Sequence, residues 1–405
     1  ISKVNDLRLE AVDADAKGDL FEHVLRQTRS AGELGQFRTP RHVIRAMVQM
    51  IDPRIGETVF DPAVGTAGFL VAAYDHIRLT NSTEASIERV EIDGKPVERG
   101  LGDRLSRADV ARLRERTLYG LDVDQRMVRL AAMNLTLRGL EKTHLGRRDG
   151  LTRPLGRAER AELDLPPDGF DVILANPPFS GKLDKDRIDA DVKVLNTKAT
   201  ELLFLQHMLN QLKEGGRCAV VVPEGVLFGS TGAHRDLRRR LIENNTVEAV
   251  LSLPAGVFNP YSGVKTSVLV FRKGGTTARV MFLHADNDGF KLDANHDTPI
   301  EADDLPGLIA AFNSREELAE DWAARDPAAD WSENWWFADA DALRAADFNL
   351  SAGRWRPQSR AQSVHRDPLA LIDELKAIEA EILVELDLLA DAVREATVEQ
   401  KVAAE

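Results

Sequence analysis

Short apolar runs alternate with amphipathic segments along the first two thirds of the chain. The runs predict strands, and the helical periodicity of the segments between them predicts helices. Because strand–helix alternation with apolar strands is typical of a mostly parallel, doubly wound sheet, the pattern predicts an α/β, Rossmann-like fold. The last predicted strands have no long helix between them, which predicts an antiparallel edge strand. Predicted strands lie near 57–60, 117–121, 143–148, 170–175, 217–222, 247–253 and 266–272, and predicted helices near 66–79, 124–138, 201–213 and 235–244.

The apolar run 170–175 ends in the tetrapeptide Asn176-Pro177-Pro178-Phe179. Two prolines stop a strand at its carboxyl end, where open α/β sheets build their sites. The Asn176 side-chain oxygen and the Pro177 carbonyl could accept both hydrogens of a planar amine such as that of adenine, while Phe179 could stack on the base. Accepting both hydrogens would make the amine more nucleophilic, so the tetrapeptide predicts a catalytic site. The alternative is a proline-terminated strand followed by an ordinary core Phe.

Acidic residues at three further strand ends predict a cleft that binds a nucleoside. Asp61 leads into Gly65-Thr66-Ala67-Gly68, whose glycines, three positions apart, let a backbone approach a nucleoside and open a helix. Asp122 could accept the ribose hydroxyls of that nucleoside, and Asp149 could accept its adenine amine. The sequence lacks the dinucleotide-binding glycine pattern and the Lys of a phosphate-binding loop, so NAD and ATP fit poorly. Each acid taken singly could instead be a helix cap or a turn residue.

Together with Gly35-Gln36-Phe37-Arg38-Thr39-Pro40, these elements resemble an amino-group DNA methyltransferase, and more narrowly the modification subunit (HsdM) of type I restriction–modification systems. The resemblance runs from about residue 20 to about residue 360. Further matching segments are 170–180, 203–207, 222–228 and 263–269. The resemblance implies transfer of a methyl group from S-adenosylmethionine, the cofactor, to the N6 amine of adenine in specific DNA sequences.

The resemblance also implies roles for individual residues. The implied cofactor-binding residues are Gln36, Phe37, Arg38, Thr39, Pro40, Arg41, Asp61, Gly65, Thr66, Ala67, Gly68, Asp122 and Asp149. The segment from Asn176 to Phe179 would act on an adenine flipped out of the duplex. Three positions depart from the family pattern: Arg38 replaces a common aromatic residue, Val64 a frequent Cys, and Asp122 a frequent Glu.

Charge indicates how the chain meets DNA. The formal net charge of −13 argues against a chain that binds duplex DNA by itself, because such proteins usually display a basic surface. Over half of the acidic excess lies in residues 366–405, which hold 11 acidic and 4 basic residues. Local positive charge lies in the loop 181–198, which could close over a substrate, and in the Arg-rich segment 234–240. A solvated helix face is the alternative interpretation of the Arg-rich segment.

The cysteine count and the hydropathy pattern indicate the expected cellular compartment. The chain has a single cysteine, Cys218, so a disulfide within the monomer is excluded and a reducing cytoplasm is favoured. No apolar run approaches the ~18–20 residues needed to span a bilayer, so no membrane association is expected. No Cys/His cluster has the spacing of a metal site, so the sequence predicts neither a structural zinc nor another metal.

The chain divides into four predicted segments. Residues 1–30 are expected to be the tail of a missing helical amino-terminal domain, because the resembled family has such a domain before this point. Residues 31–285 form the predicted catalytic domain, 286–365 a Trp-rich edge and packing region, and 366–405 a helix for a partner subunit. Apolar residues of that helix recur every 3.5 positions on average, as in a coiled-coil seam, although the helix could also fold back on its own domain.

The resemblance implies a specificity subunit as partner, with two copies of this chain per specificity subunit, double-stranded DNA as substrate, and a restriction subunit as a further partner. Other functions stay open. The same tetrapeptide could methylate an RNA adenine or, as Asn-Pro-Pro-Tyr in relatives, a protein glutamine amide. A non-catalytic scaffold in a defence complex is the third possibility. The element Gln36–Pro40 and the chain length favour DNA, and workable residues at every cofactor position disfavour the scaffold.

Overall fold

The computed structural model describes residues 14–27, 39–153, 155–179, 181–193, 195–259, 262–326 and 330–357, together with 376 and 379. One compact unit comprises Ile1–Pro327 and Glu333–Arg356, and a second comprises Ala328–Ser332 and Pro357–Glu405. The elements below belong to the first unit. Gln36, Phe37 and Arg38 and the predicted seam of the carboxyl-terminal helix lie outside the described residues.

The described strands are β1 (Val59–Asp61), β2 (Ile87–Ile92), β3 (Lys95–Gly100), β4 (Leu118–Asp122), β5 (His144–Arg147), β6 (Phe170–Ala175), β7 (Leu212–Pro223), β8 (Asn245–Ser252), β9 (Thr266–Lys273), β10 (Arg279–His284), β11 (Asp288–Phe290), β12 (Pro299–Asp303) and β13 (Trp335–Asp339). Nine of these described strands form one sheet in the order β5-β4-β1-β6-β7-β9-β8-β10-β13. The pairs β5–β4, β4–β1, β1–β6, β6–β7 and β8–β10 are parallel. The predicted mostly parallel sheet is therefore confirmed.

Two strands run against the rest. The edge strand β13 pairs antiparallel with β10, so the sheet has an antiparallel edge strand as expected, although β13 is not one of the strands predicted from the sequence. The strand β9 also runs antiparallel, but it lies inside the sheet between β7 and β8. Its first six residues are buried. A strand that is covered on both faces has a continuous apolar sequence. Such a sequence indicates burial but does not indicate which strands lie on either side, so it does not reveal the interior position of β9.

The described helices are α1 (Ala14–Gln27), α2 (Arg41–Ile51), α3 (Gly68–Thr80), α4 (Arg107–Glu115), α5 (Gln125–Leu137), α6 (Arg157–Glu162), α7 (Thr200–Gln211), α8 (Glu224–Phe228), α9 (Gly232–Asn244), α10 (Leu305–Asn313), α11 (Arg315–Ala324), α12 (Ala340–Ala345) and α13 (Ala352–Trp355). One apolar cluster joins α2, α3 and α10 to one face of the sheet, and another joins α7 and α9 to the opposite face. Neighbouring β6 residues alternate between them, with Leu174 in the first cluster and Ile173 in the second. In the described part of the chain, no helix has the length and apolar character that crossing a membrane requires.

The segment 81–115, which the sequence predicts to be a polar surface insertion, contains the β2–β3 hairpin and α4. The Ser106 hydroxyl accepts a hydrogen bond from the Asp109 amide over 3.2 Å, and the Asp109 carboxylate accepts one from the Ser106 amide. This reciprocal cap begins α4. The hairpin strands are mostly exposed or half-buried, and their sequence is polar. A search for apolar runs therefore does not detect them.

The Arg-rich helix α9 is not a uniformly solvated face. Arg238 is 2 % exposed, and burial lowers its pKa to about 10. Its guanidinium donates to four main-chain carbonyls, those of Val226, Gly229, Asp347 and Phe348. The next residue, Arg239, keeps 52 % of its side chain exposed. Arg238 is therefore a core residue, and only its neighbours on α9 offer positive charge to a partner.

Packing in the core accounts for two features of the sequence, the single cysteine and the Trp-rich region. Cys218 on β7 is fully buried, with its Sγ 3.9 Å from the Met208 sulfur, and burial raises its pKa well above the ordinary value. In the Trp-rich region, Trp336 is buried in the core, and Trp322 and Trp355 pack against it. These contacts favour the packing interpretation of the tryptophans.

Candidate active site

The predicted functional residues come together at one edge of the sheet. Asp61 ends β1, Asp122 ends β4, and Asn176 directly follows β6. These three strands are neighbours and parallel, so their carboxyl ends meet at the same edge. Arg148, just beyond β5, donates its amide to the Asp122 carbonyl over 2.8 Å, which brings Asp149 to that edge as well. The topology therefore assembles the predicted cleft at the place where open α/β sheets bind ligands.

Asn176 is held in one orientation by Thr39. The Asn176 Nδ2 donates to the Thr39 hydroxyl over 2.8 Å, and Thr39 is itself 6 % exposed. The other side-chain atom, Oδ1, is buried and has no hydrogen-bond partner among the described residues. A buried carbonyl oxygen without a partner costs about 1–3 kcal/mol, so the site holds an acceptor ready for a donor from outside the chain.

The remaining residues of the tetrapeptide differ in exposure. Pro177 is buried, Pro178 is exposed, and Phe179 is half-buried. The Phe179 ring meets Phe258 edge-on, with centroids 5.3 Å apart and planes at 85°. Because Phe258 is only 1 % exposed, it fixes the ring of Phe179 from the core side. Phe179 is thus anchored at one edge and remains partly open.

Carboxylates shape the turn between β1 and α3. One oxygen of Asp61 accepts the Ala63 amide, and Asp122 accepts the amides of Gly65 and Asp124, each over 2.8–3.0 Å. Gly65 and Ala67 both have left-handed backbone conformations, with φ of 51° and 67°. This conformation suits glycine and is unfavourable for alanine, so the surrounding contacts must impose it on Ala67.

The two acids of this turn are electrostatically unusual. Burial raises the pKa of Asp61 to about 8, and the negative charge of Asp122 adds to the rise. Burial also raises the pKa of Asp122. No described cation pairs with either carboxylate, so a positively charged ligand would be complementary to this end of the cleft.

Asp149 has a local structural role in the described chain. Its two oxygens accept the Leu151 amide over 3.0 Å and the Thr152 hydroxyl over 2.8 Å, which closes the turn after β5. The adjacent Gly150 lies against His207, whose Nε2 would be 2.7 Å from an added Cβ. His207 is 2 % exposed, and burial lowers its pKa to about 4, so its ring is neutral.

Sequence reasoning missed two residues that hold members of the predicted cofactor-binding set in place. Asn134 of α5 donates to the Thr66 carbonyl over 2.8 Å, and Glu22 of α1 binds the Arg41 guanidinium. Asn134 is fully buried and Glu22 is 4 % exposed. A polar residue on the apolar face of the predicted helix 124–138 is the signal that could have revealed Asn134. Glu22 lies in a polar segment that offers no such signal.

Comparison with known proteins agrees with this geometry. The family model described as N-6 DNA Methylase matches residues 12–363. The EcoEI methylase subunit of a type I restriction enzyme from Escherichia coli is 32% identical over 386 residues, covering 94% of this chain and 70% of the relative. The crystal structure of the type I restriction enzyme EcoKI M protein is 25% identical with a TM-score of 0.58, covering 89% of this chain and 74% of that one. A structure of a type I R-M system, titled for complex assembly and conformational transition, is 30% identical with a TM-score of 0.58, covering 89% and 67%.

The fold is that of the class I methyltransferases, with a mostly parallel sheet and an Asn-Pro-Pro-Phe turn at its carboxyl edge. This chain belongs to the N-6 DNA methylase family and, within it, to the modification subunits (HsdM) of type I restriction–modification systems.

Proposed function

We propose that this chain transfers a methyl group from S-adenosylmethionine to the N6 amine of a flipped adenine in DNA. The observation that carries the proposal is the Asn176 side chain, whose Nδ2 is held by Thr39 and whose Oδ1 is buried without a partner. Such an acceptor suits an amine that brings two hydrogens. It supports this reaction over binding alone, because accepting a hydrogen from the amine increases its nucleophilicity.

The cofactor end of the cleft fits S-adenosylmethionine by charge and shape. Asp61 is a buried acid whose raised pKa keeps it largely protonated at neutral pH, and a ligand that carries a sulfonium and an ammonium would favour its ionised form. Asp122, at the end of β4, has a second lone pair on each oxygen for ribose hydroxyls. Gly65 leaves the backbone open to close approach, since an added Cβ would meet only the Ala63 carbonyl oxygen, 3.9 Å away, whereas Gly68 lies against Ile44. When bound, the cofactor supplies an electrophilic methyl group.

The chain's own residues would prepare the adenine. Asn176 Oδ1 accepts one amine hydrogen, and the Pro177 carbonyl, aimed by the fixed φ of proline, accepts the other. The partly open Phe179 ring stacks on the flipped base, a contact worth about 1–3 kcal/mol, while Phe258 holds that ring in place. A base within a duplex cannot reach these groups, so the adenine must leave the stack.

Sequence readout would come from another polypeptide. The net charge of −13 is unfavourable for a chain that binds duplex DNA alone. We infer a complex of two copies of this chain with one specificity subunit on double-stranded DNA, joined by a restriction subunit. The similarity to a chain from a structure titled for type I complex assembly supports this partnership.

Nucleoside mass spectrometry tests the proposal. DNA is analysed from cells that express the chain with its neighbouring specificity subunit, and in parallel from cells with the Asn176→Ala chain. N6-methyladenine that requires both partners and Asn176 is the expected result. If the complex binds S-adenosylmethionine but leaves DNA adenine unmodified, the DNA assignment is wrong, and RNA adenine or protein glutamine becomes the substrate to test.

A further inference from the structure

Three side chains that the proposed reaction does not use meet beside α2. His42 lies in the first turn of α2, Asp288 begins β11, and His296 lies in the connection between β11 and β12. The His42 Nε2 is 2.9 Å from Asp288 Oδ2, and the His296 Nε2 is 3.0 Å from the same oxygen. One ligand atom from each residue lies within 4.8 Å of those of the other two. Two imidazole nitrogens thus converge on one carboxylate.

The carboxylate at the centre of this cluster is buried and hydrogen-bonded to both imidazoles. Asp288 is 0 % exposed. Its oxygens accept hydrogen bonds from His42 Nε2 over 2.9 Å and from His296 Nε2 over 3.2 Å. A bound ion would replace the hydrogen on each of these two Nε2 atoms, which would then direct a lone pair at the metal. The nearby Lys95 instead lies 3.7 Å from Asp303, so the direct side-chain partners of Asp288 among the described residues are imidazoles.

We propose that His42, Asp288 and His296 bind a zinc ion, with water as its fourth ligand. Two imidazole nitrogens and a carboxylate oxygen are ligands that Zn²⁺ prefers, and three protein ligands with an open fourth position are a common set. Ligands about 2.0–2.1 Å from a tetrahedral ion are about 3.3 Å apart. The distances of 2.9–3.2 Å between the imidazole nitrogens and the carboxylate oxygens need to open by only a few tenths of an ångström.

The backbone around the cluster is organised to present these ligands. His296 has a left-handed conformation with φ of 49°, which is unfavourable for a non-glycine residue. Asp293 stabilises it by accepting the His296 amide over 3.0 Å and the Asn295 amide over 3.1 Å. The Phe290 ring stacks on His42, with centroids 4.5 Å apart and planes at 22°. The ring of His42 and the backbone of His296 are therefore fixed by contacts outside the cluster.

A metal at this place would act on the active site through α2. His42 is three positions after Thr39, the residue that orients Asn176, and it is 246 positions from Asp288. An ion would therefore anchor the start of α2 to the β11–β12 connection. The long separation also explains why the sequence spacing predicts no metal site. The role is positional, since none of the three residues contacts the proposed reacting groups in the described chain.

Metal analysis of the full chain, purified without a histidine tag, tests the site. The protein is incubated with zinc, desalted and measured by elemental mass spectrometry. The test variant is His296→Gln, whose side-chain amide can still donate to Asp288 but is a poor zinc ligand. The matched control is His284→Gln, because His284 pairs with Asp286 over 3.1 Å outside the cluster.

We expect one zinc per chain in the wild type and in His284→Gln, and almost none in His296→Gln. A chelator should lower the Tm of the wild type and leave that of His296→Gln unchanged. The proposal is wrong if the folded wild type retains no zinc and its Tm changes with neither zinc nor chelator. The three residues would then form only a hydrogen-bonded cluster. Equal zinc in wild type and His296→Gln would also overturn it.

Discussion

The side chain of Asn176 donates its amide hydrogen to the hydroxyl of Thr39 over 2.8 Å, although 137 positions separate the two residues. Thr39 precedes the first strand of the sheet, and Asn176 follows β6, the strand next to β1. The proposed catalytic amide is therefore oriented by the segment that also leads into the predicted cofactor site. The proposed amine acceptor and the predicted cofactor site therefore share one structural support.

This hydrogen bond predicts that variants at Asn176 and Thr39 reduce methyl transfer to different extents. Asn176→Ala removes the acceptor, so methyl transfer should fall by at least about 100-fold, in line with the loss of one transition-state hydrogen bond. The affinity for S-adenosylmethionine, measured by calorimetry, should change little. Thr39→Val removes the oxygen that holds the amide while keeping its shape, and should reduce transfer less. Thr39→Ser, which keeps the hydroxyl, is the control. Normal transfer by Asn176→Ala would contradict the assigned role.

The raised pKa of Asp61 predicts a pH-dependent stability. An Asp in the unfolded chain titrates near its ordinary pKa of about 3.9, whereas Asp61 in the folded chain titrates near about 8. Its favourable contribution is therefore complete below pH ~4 and is lost as pH rises toward ~8, because the unfolded chain releases this proton first. Asp61→Asn should unfold at higher urea than the wild type at pH 8, by several kcal/mol at ~1.4 kcal/mol per pH unit, with a smaller gain at pH 5.

Asp171 provides the control of opposite sign. Although burial opposes its ionisation, hydrogen bonds from Lys213 and Thr58 hold the pKa of Asp171 below the ordinary value. Its contribution is present above the unfolded pKa, so Asp171→Asn should lower stability at both pH values. Asp61→Asn should also weaken cofactor binding, which separates stability from function. Equal urea midpoints for Asp61→Asn and the wild type at pH 8 would disprove the shifted pKa.

The turn between β1 and α3 packs closely on β4, and this contact gives a third prediction. A Cβ added to Gly120 on β4 would lie 2.6 Å from the Cγ2 of Val64. Gly120→Ala should therefore displace the turn, lower the free energy of unfolding by about 1–3 kcal/mol and weaken cofactor binding. Combining it with Val64→Ala removes the nearest contact but leaves the Cβ of residue 64 and the Leu145 Cδ2, each 2.9 Å away, so the double variant should recover part of both losses. No coupling between the two changes in a double-mutant cycle would rule out this contact.

The buried side chain of Arg238 on α9 gives a prediction about stability. Asp347 and Phe348 have consecutive left-handed conformations, with φ of 55° and 57°, and Arg238 binds both carbonyls. Arg238→Met leaves buried carbonyls without donors, at about 1–3 kcal/mol each, so urea unfolding should show a large loss of stability. Arg239→Met, on the exposed face of the same helix, should change the free energy of unfolding by less than about 0.5 kcal/mol. A mild Arg238→Met variant would contradict this role.

The sheet was predictable from sequence because its strands are apolar and its turns carry strong signals. The predicted strand 170–175 coincides with β6, and the predicted strand 266–272 differs from β9 by one residue. The position of β9 within the sheet was not predictable, because a continuous apolar run shows that a strand is buried but not which strands lie beside it. The β2–β3 hairpin was missed because it is polar.

The candidate site was predictable where function demands rare residue combinations, as in the tetrapeptide at 176–179. Its supports were less visible. The contacts of Thr39 with Asn176, and of Asn134 with Thr66, join residues distant in the chain, and only the fold brings them together. The His42, Asp288 and His296 cluster was missed for the same reason.

Cys218 makes the protein its own reporter of unfolding. Because the chain has one thiol and the core around β7 buries it completely, a water-soluble alkylating reagent can reach that thiol only when the core opens. The extent of labelling over time would therefore measure how often the sheet opens, without an added dye or an engineered cysteine. The same property allows a second cysteine on the surface to be labelled selectively while the native one stays in place.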